Sequence, residues 1–94
     1  MKHYALFYEV VDRFVERRAA FRAEHLELVQ DAHAGGSLVL AGALGDPPDG
    51  AFLVFRAASP EVVEDFARKD PYVVHGVVTR WSVRTWNVVV EPVH

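Results

Sequence analysis

The sequence predicts an α+β fold in which a four-stranded antiparallel sheet carries two helices on one face. Three observations lead there. A long amphipathic stretch centred on Glu16–Val29 has helical periodicity and lies between two strand-like segments. A shorter helix, opened by Ser59-Pro60-Glu61, is bracketed by strands in the same way. Between the helices, a Gly- and Pro-rich segment joins two apolar runs that are too short to be helices. The order β-α-β-β-α-β is that of the ferredoxin-like split βαβ arrangement. With 94 residues the chain makes one domain, 1–94, and has no room for a second core.

In chain order, residues 2–9 alternate weakly and are rich in aromatics, so they read as a strand. Asp12 is the expected N-cap of one long helix, with Arg13 onward inside it. From Phe14, at about 100° per residue, Arg18, Phe21, His25, Leu28 and Ala32 fall within roughly 40° of one line, with Val15, Leu26 and Val29 beside them. Glu16, Arg17, Glu24 and Glu27 supply the wet side. Gly35-Gly36 should end the helix, since glycine accepts the left-handed conformation of a helix terminus. Residues 37–43 form the second strand, 45–50 a turn, and 51–56 the third strand, giving a hairpin. The second helix runs to about Lys69, where Asp70-Pro71 stops it, because the residue before proline is pushed out of the helical region. The last strand is expected from about Val77 to Val89.

Composition narrows the function. There is no cysteine, hence no disulfide framework, thiolate metal site or cysteine nucleophile, and a cytoplasmic setting is the natural expectation. The formal net charge is −3 with both signs interspersed, which argues against nucleic acid as a partner. No apolar run approaches the ~20 residues of a membrane span, and the first nine residues turn polar too soon for a secretory signal. Yet 51% of the residues are hydrophobic, and Leu38–Ala41 and Phe52–Phe55 are apolar on both strand parities. The sheet face away from the helices would then be bare beyond what a soluble monomer usually exposes. With no further helix to cover it, a homodimer packed through the sheet face is the expected answer.

His25 sits in the centre of a burying helix face, where an imidazole needs a partner. Asp70, at the exit of the second helix, is the carboxylate that the layout brings toward it. An Asp there would fix one tautomer of the ring and make an oriented general acid/base. The structural alternative is a core histidine bonded to a backbone carbonyl, with Asp70 capping a turn. Arg18 and Arg22, two turns and one turn away from His25, suit a substrate carboxylate or enolate oxygen, although for Arg18 a snorkelling stem with an exposed head is the simpler expectation. Tyr72 could close a pocket, and Gly42 could allow close approach to the His25 ring. Trp81 and Trp86 fall on opposite faces of the last strand. No metal is assigned: His25 and His33 lie about 12 Å apart by helical rise, too far to share one, and a metal joining His25, Asp70 and His75 is the alternative that only coordinates can test. Gly42 and Gly45 precede a proline-rich turn and not a helix, so they make no phosphate loop.

Arg22-x-x-His25-Leu26, the Leu40-Ala41-Gly42 strand end, Asp70-Pro71-Tyr72 and Arg84-Thr85-Trp86 resemble, in this order and over nearly the whole chain, the YciI-like or YCII-related domain family. The resemblance implies a ferredoxin-like fold, association as a dimeric α/β barrel, and an active site built on a His and an Asp, here His25 and Asp70. It also implies chemistry on small ring compounds, since some members are dehydrochlorinase-type lyases and related barrels include muconolactone isomerases. The reading that follows is a small cofactorless enzyme moving protons with His25 and Asp70, with Arg22, Tyr72 and Gly42 around the substrate. The alternative is a binding or regulatory dimer that holds a small molecule without turning it over.

Overall fold

The computed structural model describes residues 1–92. Four strands, β1 (Lys2–Val10), β2 (Leu38–Leu44), β3 (Gly50–Ala57) and β4 (Val78–Trp86), form one antiparallel sheet in the order β2-β3-β1-β4. Four helical segments pack against one face: α1 (Phe14–Arg17), α2 (Arg22–Ala34), α3 (Pro60–Lys69) and α4 (Pro71–Val74). The architecture is the ferredoxin-like α+β fold expected from the element order. Among the described residues no helix is long and apolar enough to cross a membrane.

Strand alternation divides the side chains between two faces. Tyr4, Leu6 and Tyr8 of β1 and Leu53, Phe55 and Ala57 of β3 point to the helices and are buried with Phe14, Val63, Phe66, Ala67 and Tyr72. The other parity builds the open face. There Phe7 and Phe52 stack at 4.9 Å between ring centres, with Trp86 6.2 Å from Phe52. Trp81, on the opposite parity to Trp86, packs against the core beneath the Arg68 guanidinium. An irregularity between Leu38 and Leu40 explains why β2 is apolar on both parities: Leu38 pairs with Phe55 and is buried, whereas Leu40 pairs with Val54 and is 67% exposed.

Four expectations need correction. The single long helix is broken: Arg18 ends α1, Ala19–Phe21 form one 3₁₀ turn, and α2 starts at Arg22. The tighter turn, which carries the Phe21 N–H to the Arg18 carbonyl, turns the chain further per residue than an α-helix. Asp12 is not the cap, because Arg13 takes a left-handed conformation (φ 60°) and stands at N-cap, its side chain pairing with Glu16 and making no capping bond to the helix backbone. Of the two glycines after α2, only Gly36 is left-handed (φ 89°). The last strand stops at Trp86, short of Val89, because its partner β1 runs out: His3↔Trp86 is the terminal pair of that ladder.

One helix was missed. Asp70 both ends α3 and caps α4, accepting a bond from the Tyr72 backbone N–H, with Pro71 in the first helical position. That double duty sets the carboxylate at a sharp corner between two helices, facing α2.

Candidate active site

The site is assembled around Asp70, whose side chain is completely buried (0% exposed). A carboxylate out of water is costly unless its lone pairs are occupied. Here three donors converge on it. The Tyr8 hydroxyl donates to Oδ2 at 2.7 Å, and Oδ1 accepts from the Tyr72 backbone N–H at 3.0 Å and lies 2.8 Å from Nδ1 of His25. Since a carboxylate only accepts, Nδ1 must carry the ring proton, which leaves Nε2 of the neutral ring as a lone-pair acceptor. This is the arrangement in which a histidine is held in one tautomer with its second nitrogen free for chemistry.

His25 is fixed from two sides. It lies in the first turns of α2, and its ring stacks flat on Tyr72 at 3.8 Å with an interplanar angle of 7°. Tyr72 is in turn held edge-on by Phe14, 5.9 Å away. Helix α2 has no fully buried residue, because it stands off the sheet over a cavity of about 260 Å³. His25, Tyr72, Arg18 and Arg22 line the cavity together with apolar residues of α2 and the β2–β3 hairpin.

The electrostatics are uneven. Burial, the Asp70 charge and the hydrogen bond to it together push the Tyr8 hydroxyl far above the ordinary tyrosine range, so Tyr8 stays a donor. Burial also raises Tyr72, while the Arg22 and Arg18 charges pull it down. Its hydroxyl is buried without a hydrogen-bond partner among the described residues. The same is true of Nε of Arg18, whose guanidinium lies over the Phe14 ring at 4.9 Å. Arg18 therefore does not snorkel as expected: packing on Phe14 keeps part of its head under cover at the cavity edge.

The other candidates sort themselves by position. Arg22, Tyr72 and Gly42 all line the cavity with His25. Gly42, however, is not there for close approach to the ring. It pairs with Phe52 on the open-face parity, and a Cβ added to it would meet nothing within 4 Å. His33 is structural, its Nδ1 bonded to the Leu38 carbonyl at 2.8 Å, which ties the end of α2 to β2. His75 stacks on Phe21 at 4.2 Å. Among the described residues no three His, Asp or Glu side chains converge in a way that would hold a metal ion.

A sequence model of the YCII-related domain matches residues 1–87. The chain belongs to the YCII-related domain family. Among curated proteins, none matches it in sequence. Solved structures similar in fold to this family member include two that bear on the site. One is 5-chloro-2-hydroxyhydroquinone dehydrochlorinase (TftG) from Burkholderia phenoliruptrix AC1100, in complex with 2,5-dihydroxybenzoquinone. It is 20% identical, with 90% of this chain and 93% of that chain covered and a TM-score of 0.76. The other is a MhuD variant with two manganese protoporphyrin IX molecules bound per active site, 16% identical over 100% of both chains, with a TM-score of 0.54.

Tyr8 is the site residue that sequence reasoning missed. The signal was present, since Tyr8 shares its strand parity with Tyr4 and Leu6, and a buried tyrosine hydroxyl usually finds a partner.

Proposed function

We propose that this YCII-related protein is a cofactorless enzyme in which His25, oriented by Asp70, moves a proton on a small ring substrate bound in the cavity under α2. One observation carries the reading: Nδ1 of His25 is committed to a fully buried carboxylate while the same ring lines a cavity of about 260 Å³. That volume suits one substituted ring and lies just below the range of ~300–1,000 Å³ of drug-sized pockets. It is far too small for a porphyrin of the kind bound by the MhuD variant. The dehydrochlorinase neighbour, with a dihydroxybenzoquinone bound, supports a six-membered ring as the substrate frame.

In the mechanism we infer, Nε2 takes a proton from a ring carbon or hydroxyl. The electron pair released then moves either to an adjacent carbonyl, giving an enolate, or expels an anionic leaving group. In the first case the imidazolium returns the proton at another position, an isomerisation. In the second it has completed an elimination. Asp70 keeps its charge throughout and stabilises the imidazolium that forms. Tyr8 acts behind Asp70, holding the carboxylate from the far side.

We also propose that the open sheet face pairs with a second copy of the chain. Phe7 (39% exposed), Leu40 and Trp86 (45% exposed) form an apolar surface around the stacked Phe7–Phe52 pair. Such a surface is of the kind that soluble proteins cover by association.

The test is a screen of small ring acids, halogenated hydroquinones and lactones for turnover, followed by His25→Asn on any substrate found. Asparagine can keep a donor near the Nδ1 position for Asp70 while removing Nε2. The variant should melt close to the parent and lose turnover. A variant that retains full activity would place the chemistry elsewhere.

A further inference from the structure

We infer that the cavity binds the anionic form of its ligand, a ring compound whose carboxylate, phenolate or enolate oxygen sits against the Tyr72 hydroxyl and the Arg18 guanidinium. The inference rests on the cavity being the substrate site and goes on to specify which chemical class it takes.

Two independent observations support it. The first is a pair of unpaired donors. Tyr72 is 3% exposed, yet among the described residues nothing accepts its hydroxyl proton, since Arg22 beside it can only donate, and Nε of Arg18 is buried and has no acceptor either. A buried donor without an acceptor is unfavourable, and two of them side by side match the acceptor oxygen of a ligand. The second is the sign of the charge. Among the described residues, those with a permanent charge that line the cavity are Arg18 and Arg22, and both act on the Tyr72 hydroxyl. The negative charge nearest by, Asp70, is absent from the lining and is occupied by its three donors. A ligand oxygen bearing charge would be met by a guanidinium and a hydroxyl in a poorly hydrated setting, where such contacts are stronger than in water.

The geometry also assigns a consequence for the reaction. With the ring of Tyr72 stacked on His25, the hydroxyl and the imidazole share one wall of the cavity, so a ring lying against that wall presents different positions to each. Proton removal by Nε2 at one position pushes electron density toward an oxygen at another. The donors await the charge where it accumulates, and Arg18 and Tyr72 become the electrophilic partners of His25.

The probes are benzoate and its neutral isostere benzamide, titrated into the 94-residue protein by calorimetry at neutral pH. Benzoate should bind at least roughly tenfold more tightly, the scale of one charge-assisted hydrogen bond. Tyr72→Phe and Arg18→Gln should each remove most of that preference, weakening benzoate far more than benzamide. Tyr72→Phe deletes only an unpartnered oxygen, so the fold should tolerate it, and its melting temperature provides the control. His25→Asn should keep the preference for benzoate, which separates this inference from the proton-transfer reading: turnover can fail while anion binding stands, or the reverse. Equal binding of the two probes, binding of neither, or a preference that survives both Tyr72→Phe and Arg18→Gln overturns the proposal. So does a preference that vanishes with His25, since the cation would then be the imidazole.

Discussion

Tyr8→Phe isolates the bond on which the buried carboxylate depends. The substitution keeps the ring in the core and deletes one oxygen, the donor that lies 2.7 Å from Oδ2 of Asp70. That carboxylate oxygen has no other protein donor among the described residues, so its share of desolvation is left uncompensated. A bond to a charged acceptor contributes ~1.5–3 kcal/mol. At ~4–8 °C per kcal/mol for a domain of this size, thermal melting by circular dichroism should fall by roughly 10 °C. Alkaline pH supplies an independent check. The folded state holds the Tyr8 proton far above the ordinary tyrosine value, so the stabilisation is fully present below about pH 10 and is lost above it, as the unfolded chain ionises first. Each pH unit past that point should lower the stability of the parent by ~1.4 kcal/mol through Tyr8 alone. Tyr8→Phe lacks that contribution, so the two stability curves should converge as pH rises. Tyr72, raised less, adds to the same slope in both proteins. A double-mutant cycle with Asp70→Asn assigns the loss to the pair rather than to packing. The reasoning fails if Tyr8→Phe melts with the parent at neutral pH and keeps the same alkaline limb.

Two further outcomes follow from the same geometry. Asp70→Asn preserves shape but removes the anion facing the imidazolium; an effective dielectric near 20 at about 4 Å gives ~4 kcal/mol, so kcat on a confirmed substrate should drop on the order of 10³-fold. A variant that folds and keeps its rate would show that Asp70 is only a cap for α4. Sedimentation at micromolar protein should give twice the 10.5 kDa chain mass, and Phe52→Glu, which puts a charge beside Phe7 and Trp86, should give the monomer; a parent that sediments as a clean monomer removes the dimer proposal.

The parts of the fold legible in the sequence were those governed by local chemistry. Ser59-Pro60-Glu61 opened α3, and Gly45–Gly50 marked the hairpin, with Gly45 at φ 90°. Failures came where tertiary demands overrode a smooth periodicity. Nothing in Arg17-Arg18-Ala19-Ala20 breaks a helix locally, so the 3₁₀ turn could not be read there. It occurs where Phe14 is buried in the core and Phe21 stacks on His75, contacts 45 residues or more distant in sequence for which a helical wheel has no information. For the backbone, Asp70-Pro71 reads in the sequence as a helix stop or a capped turn, although Asp followed by Pro is also how a helix begins. The two readings are compatible, and the structure uses both.

The site was legible to the extent that it lies on helices and hidden to the extent that it lies on strands. His25 and Asp70 announce themselves because a polar residue on an apolar helix face, or an acid at a helix exit, breaks a pattern. Tyr8 breaks none, since an inward tyrosine in a strand is compatible with simple core packing. Arg18 was misjudged for the complementary reason: arginine on a helix defaults to solvent unless something holds it down, and what holds it is the Phe14 ring, a contact created by the unforeseen turn between them. Under the proposed function, the two faces of one sheet take separate tasks. The open face has an apolar centre at Phe7, Phe52 and Trp86 with Arg84 beside it, whereas the helical face holds the Tyr8–Asp70–His25 network and the buried Tyr72 hydroxyl. Substitutions on the open face such as Phe52→Glu should consequently change assembly without moving the His25–Asp70 distance, and those at Tyr8 should do the opposite. If Phe52→Glu abolished turnover in a folded monomer, the cavity under α2 would have to be completed by the second copy, and the two faces would be one functional unit.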